Sequence, residues 1–166
     1  KSIIKLKKVF TKKKDCIISV PNINNKSKKN LLKKVDQFIG AIFMSETFKF
    51  KKIGGFDENF FFYWEDEDLL KRIQHFSKYQ IYKCYSSYAN HNNGNSTIKT
   101  NNTEYIRFSN FKFGEFYYQN KYKKLRLIKM IREPISRFCL ILFYLITFQK
   151  KTFLKNLYSL IGILKF

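Results

Sequence analysis

Apolar residues recur at helical spacing after Trp64. Leu69, Leu70, Ile73 and Phe76 share one face and predict a helix that opens near Glu65. Upstream, Asp15 to Val20 reads as a short strand and Pro21 to Asn30 as a polar loop. Phe38 to Met44 reads as a buried strand, with Gly40 allowing a close backbone approach. Ser45 to Lys52 predicts a short helix with Ser45 as its cap. Gln80 to Tyr88 predicts another strand, and Ala89 to Asn102 a turn-rich loop. A helical pattern rich in aromatic and basic residues runs from Thr103 to Lys129, and Pro134 punctuates the chain after it. Two apolar stretches close the chain, Phe138 to Phe148 and Phe153 to Phe166. The alternation of strand and helix signals favours an α/β fold followed by apolar or amphipathic helices.

The first apolar stretch holds eleven residues. As a helix it reaches only about 17 Å, against a hydrocarbon core of about 30 Å. Arg132, Arg137, Lys150 and Lys151 flank it. Residues 135–166 are therefore expected to lie on a membrane surface without crossing it, or else to pack on the catalytic region or on a second copy.

Composition narrows the partners. The chain has 166 residues, 45% of them apolar, with a formal net charge of +21. That length predicts one compact core. A large positive charge invites a nucleic-acid reading. However, 28 of the 33 basic residues are Lys, alongside abundant Asn, Ile, Phe and Tyr, which looks like a coding bias. Arg is the residue suited to bidentate phosphate and base contacts, so no nucleic-acid partner is expected. The charge suits a nucleotide diphosphate or an anionic membrane. Cys16, Cys84 and Cys139 are odd in number and widely spaced, and predict reduced thiols rather than a disulfide framework.

The acids are distributed very differently. Six of the 12 lie between Asp57 and Asp68, with no basic residue among them. Crowded carboxylates repel, and such clusters persist where they bind a ligand or move protons. The plainer reading is that Glu65 to Asp68 compensate a helix dipole, although four in a row exceed that need.

The run Gly54-Gly55-Phe56-Asp57-Glu58 through Glu65-Asp66 to Ile73 resembles the C-terminal catalytic segment of inverting family 2 glycosyltransferases, the rhamnosyltransferase-like branch in particular. Val35 to Met44 resembles the strand entering the acceptor side, and His91-Asn92-Asn93-Gly94-Asn95-Ser96 resembles the HxxGxS segment of that family. The resemblance covers residues 35–97. It implies the C-terminal half of a GT-A α/β sandwich over residues 1–102, and a helical, basic and aromatic region over residues 103–166.

The resemblance also implies a chemistry. A sugar passes from a nucleotide-sugar donor to a glycan or lipid-linked acceptor with inversion, as in the building of a surface polysaccharide. It maps the acidic pair to Glu65 and Asp66, with Asp66 the general base. Gly40, Gly54 and Gly55 would bring backbone close to the acceptor. Trp64 would stack on a sugar ring, with core packing as its alternative. Asp68 would bind the acceptor or orient the motif. His91 would touch a divalent cation, Mn²⁺ or Mg²⁺, beside the diphosphate. The cation's main ligands are expected in a donor-binding half outside this chain, without which no activity is expected. The implied place is the cytoplasmic face of the cell membrane, with a homo-oligomer through the C-terminal helices as an option. The competing function is a non-catalytic, membrane-associated module whose acidic patch binds a cation or a basic partner.

Overall fold

The structure is a computed structural model and describes residues 1–27, 29–76, 78–91, 98 and 100–166. The chain separates into two compact units. One holds Lys1–Asp57 with Glu65–Gly94, and the other holds Glu58–Trp64 with Asn95–Phe166. The aromatic segment before the acids thus belongs with the C-terminal helices, whereas the expected division placed it in residues 1–102.

The first unit is built on a four-stranded mixed sheet, in the order β2 (Leu32–Val35), β4 (Gln80–Ala89), β1 (Cys16–Ile23), β3 (Met44–Ser45). β1 runs parallel to β4, while β2 and β3 pair antiparallel with their neighbours. Successive strand residues face opposite sides. Tyr82 and Cys84 accordingly meet Leu6, Val9 and Phe10 of α1 (Ser2–Lys12), whereas Ile81 meets Leu69, Leu70 and Ile73 of α3 (Glu65–His75). β1 is covered on both sides, so Cys16 to Pro21 are all buried. This explains its near-continuous apolar run.

Several local expectations need correction. α1 is a helix where the sequence shows only a lysine-rich stretch. Leu6, Val9 and Phe10 supply its buried stripe, and the lysines occupy the rest of the surface. β1 continues through Pro21 to Ile23, and a register shift after Pro21 accommodates the residue that lacks an N–H. Phe38 to Met44 is not a strand. Only Met44–Ser45 pairs, because Phe38 and Phe43 turn into an aromatic cluster with Phe50 and Phe56 instead of alternating along a ladder. Ser45 does not cap α2 (Thr47–Lys52); its hydroxyl donates to the Ile17 carbonyl at 2.7 Å, and Glu46 holds the cap position.

The second unit is helical. α4 (Asn101–Lys121) opens with a capping box between Thr100 and Thr103. It ends well before Lys129, where Lys123 enters the left-handed region at φ 53° and reverses the chain. α5 (Leu127–Ile146) runs through Pro134 instead of breaking there. Glu133 and Arg137 pair across that point, and the inner face of the helix packs on α6 (Lys150–Leu164). α6 also packs closely on α4. A Cβ at Gly162 would fall 2.8 Å from the Ser109 Cα, so only glycine permits this approach. Among the described residues no helix is long and apolar enough to cross a membrane.

Candidate functional site

Asp66 lies in the first turn of α3. Its Oδ2 accepts the Gly40 N–H at 3.2 Å, and its Oδ1 accepts the Glu67 N–H at 3.0 Å. Gly40 is needed by space, because a Cβ there would meet Asp66 Cβ at 2.9 Å. The irregular path of residues 38–43 carries the Gly40 amide to this carboxylate. Asp66 and Glu67 line an open cavity of about 610 Å³, together with Asn24, Gln37 and Lys83 among others. It lies beside the C-terminal half of β1, the end at which parallel strands usually present ligands.

Asp68 is fully buried and bonded to the Arg72 guanidinium, with Nε and Nη2 both 2.8 Å from its Oδ2. Arg72 then donates from Nη1 to the Ile53 carbonyl and from Nη2 to the Gly55 carbonyl, each at 2.6 Å. Gly54 and Gly55 take φ of 92° and 60°, values that side-chain-bearing residues adopt at a cost. The carboxylate, the guanidinium and the glycine turn thus form one clamp that fixes the start of α3. Asp68 has no exposed face to offer a ligand, and the glycine carbonyl at Gly55 is engaged by Arg72.

Glu65 differs from its neighbours. Its Oε2 is buried without a hydrogen-bond partner. Burial pushes its carboxyl above the ordinary range; a backbone hydrogen bond partly opposes this, and the adjacent Asp66 charge adds to it.

Trp64 belongs to the second unit. Its Nε1 donates to the Phe111 carbonyl at 3.1 Å, and its ring lies near Phe111, Tyr118 and Gly114. Tyr63 and Trp64 are both in the left-handed region, at φ 68° and 72°. Two consecutive aromatics there carry backbone strain that the packing on α4 must offset. The geometry favours the packing reading of Trp64 over sugar stacking.

His91 exchanges hydrogen bonds with Asn24: its N–H donates to Asn24 Oδ1 at 2.8 Å, and Asn24 Nδ2 donates to its carbonyl at 2.9 Å. Gly94 and Ser96, which complete the expected HxxGxS segment, lie outside the described residues. Among the described residues no three His, Cys, Asp or Glu side chains converge as a metal site.

Sequence reasoning missed Arg72, Lys83 and Asn24. Arg72 was readable as the i+4 partner of Asp68. Lys83 shares strand parity with Ile81, a charge on a face otherwise devoted to the α3 core. Asn24 carried no signal, because its role comes from the junction of β1 with the end of β4.

The central part of the chain matches a glycosyltransferase family model. That model describes the N-terminal domain of galactosyltransferase, and the match spans residues 23–94, less than half of the chain. It contains the Gly40–Asp66 contact, the glycine turn and the acidic helix start. No curated protein and no solved structure gives a significant match.

Proposed function

We propose that the first unit carries the acceptor-side half of an inverting glycosyl-transfer site, related to family 2 enzymes of GT-A type, with Asp66 as general base. The observation that carries this reading is the placement of Asp66. Its carboxylate is steadied by two backbone amides on the wall of a cavity large enough for a sugar ring. In the reaction, an acceptor hydroxyl oxygen attacks the anomeric carbon of a nucleotide sugar. Its proton passes to the Asp66 carboxylate, and the bond to the diphosphate breaks, with the electron pair leaving on the phosphate oxygen. Asp68 and Arg72 act as positioning residues. The donor, and any Mn²⁺ or Mg²⁺ that serves it, would be held mainly by residues outside this chain, with His91, whose backbone is bonded to the cavity residue Asn24, as this chain's candidate contact to the cation.

Glu65 is a second candidate for the proton, because its Oε2 is buried without a hydrogen-bond partner and burial raises its affinity for a proton. Comparison of Asp66→Asn with Glu65→Gln in the full transferase separates the two. Asp66→Asn is expected to cut turnover by about 10²–10⁴-fold, and Glu65→Gln by far less. Near-normal turnover in Asp66→Asn would remove Asp66 from the role. Failure of the full protein to transfer sugar from any nucleotide-sugar donor would favour the non-catalytic module.

A further inference from the structure

The two C-terminal apolar stretches have different fates. α6 is a packed helix: Asn156, Ser159, Gly162 and Ile163 are buried, Lys165 donates to the Tyr105 hydroxyl at 2.8 Å, and Lys155 lies over the Phe108 ring. Lys155 and Lys165 are thus both in contact with side chains of α4. α5 is different. Its inner face holds Arg137, bonded to Asn156 at 2.9 Å, together with buried Ile141.

Its outer face is apolar and uncovered. Ile128, Ile131, Ile135, Phe138, Leu142 and Leu145 follow each other at alternating steps of three and four, which places them on one side of a helix. Every one is exposed, from 45% for Leu142 to 69% for Ile128. The strip is about 26 Å long. Patches of this extent mark a contact with another surface.

Charge identifies the surface. After Glu115 the chain has one acidic residue, Glu133, and that side chain faces inward to Lys112 and Arg137. Exposed Lys123, Lys124 and Arg126 precede the strip, Arg132 borders it, and exposed Lys150 and Lys151 follow it. A second copy would bring like charges together at both ends. An anionic bilayer offers the opposite charge at the ends and acyl chains in the middle.

We infer that α5 lies in the plane of an anionic membrane surface, with the six side chains of this strip inserted below the headgroups and the basic residues at its two ends among them. The inference is independent of the transfer reaction. It makes membrane attachment a property of one helix face, with α6 serving as the scaffold that presents it.

Cys139 provides a test that leaves the fold intact. It is exposed on α5, while Cys16 and Cys84 are buried, and burial raises the Cys16 pKa to about 12. An environment-sensitive dye on Cys139 of the full chain is expected to shift to the blue on addition of phosphatidylglycerol-containing vesicles, and much less with pure phosphatidylcholine. In co-sedimentation, Ile135→Glu/Leu142→Glu should lower binding to the anionic vesicles at least tenfold, with helicity unchanged by circular dichroism. Three results would overturn the inference: no dye shift, equal binding to neutral and anionic vesicles, or equal binding by the variant. A dimer in analytical ultracentrifugation that the double variant abolishes, with no vesicle binding, would assign the face to a second copy instead.

Discussion

Gly40 and Asp66 touch with no room for a side chain between them. The glycine N–H donates to Asp66 Oδ2 at 3.2 Å, and a Cβ on the glycine would sit 2.9 Å from the Asp66 Cβ. The contact ties residues 38–43, which have no regular structure of their own, to the first turn of α3.

Gly40→Ala should therefore move the candidate base. Neither Cβ sits on a flexible arm, so relief requires a backbone shift at one side of the contact. The expected cost is about 1–3 kcal/mol of stability. The expected loss of turnover in the full transferase is about tenfold or more, since small misplacements of a reacting group are expensive. Unfolding by urea and initial rates measure the two effects. Unchanged rates would show that the position of Asp66 does not govern the reaction.

The acidic helix start was legible because its composition cuts against a lysine-rich background, and because Leu69, Leu70 and Ile73 give it an unmistakable period. β1 was legible as an apolar run, and β4 as a stretch of strand-forming Ile and Tyr residues. The surroundings of Asp66 were not. Gly40 reads as a strand glycine, yet its place is set by a helix 26 positions away, and no local pattern encodes such a partner. α1 is hidden by its lysines, which hold the solvent side while three apolar residues do the packing. The distinction between α5 and α6 was also out of reach. Both are apolar, and only the packing of α6 on α4 decides which one stays uncovered.

Arg72 is predicted to matter more for stability than its partly exposed position suggests. Arg72→Ala leaves the Asp68 carboxylate buried without its guanidinium and frees the Ile53 and Gly55 carbonyls. Removing one member of such a pair costs about 3–5 kcal/mol. Arg72→Lys should recover only part of this, because an ammonium cannot reproduce the guanidinium fork. Replacing both residues, as in Asp68→Leu/Arg72→Met, should cost less than Arg72→Ala alone. Chemical denaturation of the three variants checks the order. A single-mutant cost below about 1 kcal/mol would show that the clamp is dispensable.

Glu65 should impose a pH dependence of its own. Burial, with the Asp66 charge beside it, holds its carboxyl above the ordinary value of 4.5 in the folded chain. The folded state then binds this proton more tightly than the unfolded state does. Stability consequently falls as pH rises from the unfolded value through the folded one, and the full penalty remains above the folded value. Glu65→Gln removes the titration, so the variant is expected to be the more stable protein at pH 7 and to lose this acid-side slope. Asp66→Asn removes the neighbouring negative charge and should narrow the window without abolishing it, since burial remains. Melting temperatures of the three proteins between about pH 4 and about pH 8 distinguish these behaviours. Parallel curves for wild type and Glu65→Gln would show that Glu65 titrates alike in both states, and would withdraw its claim to the proton as well.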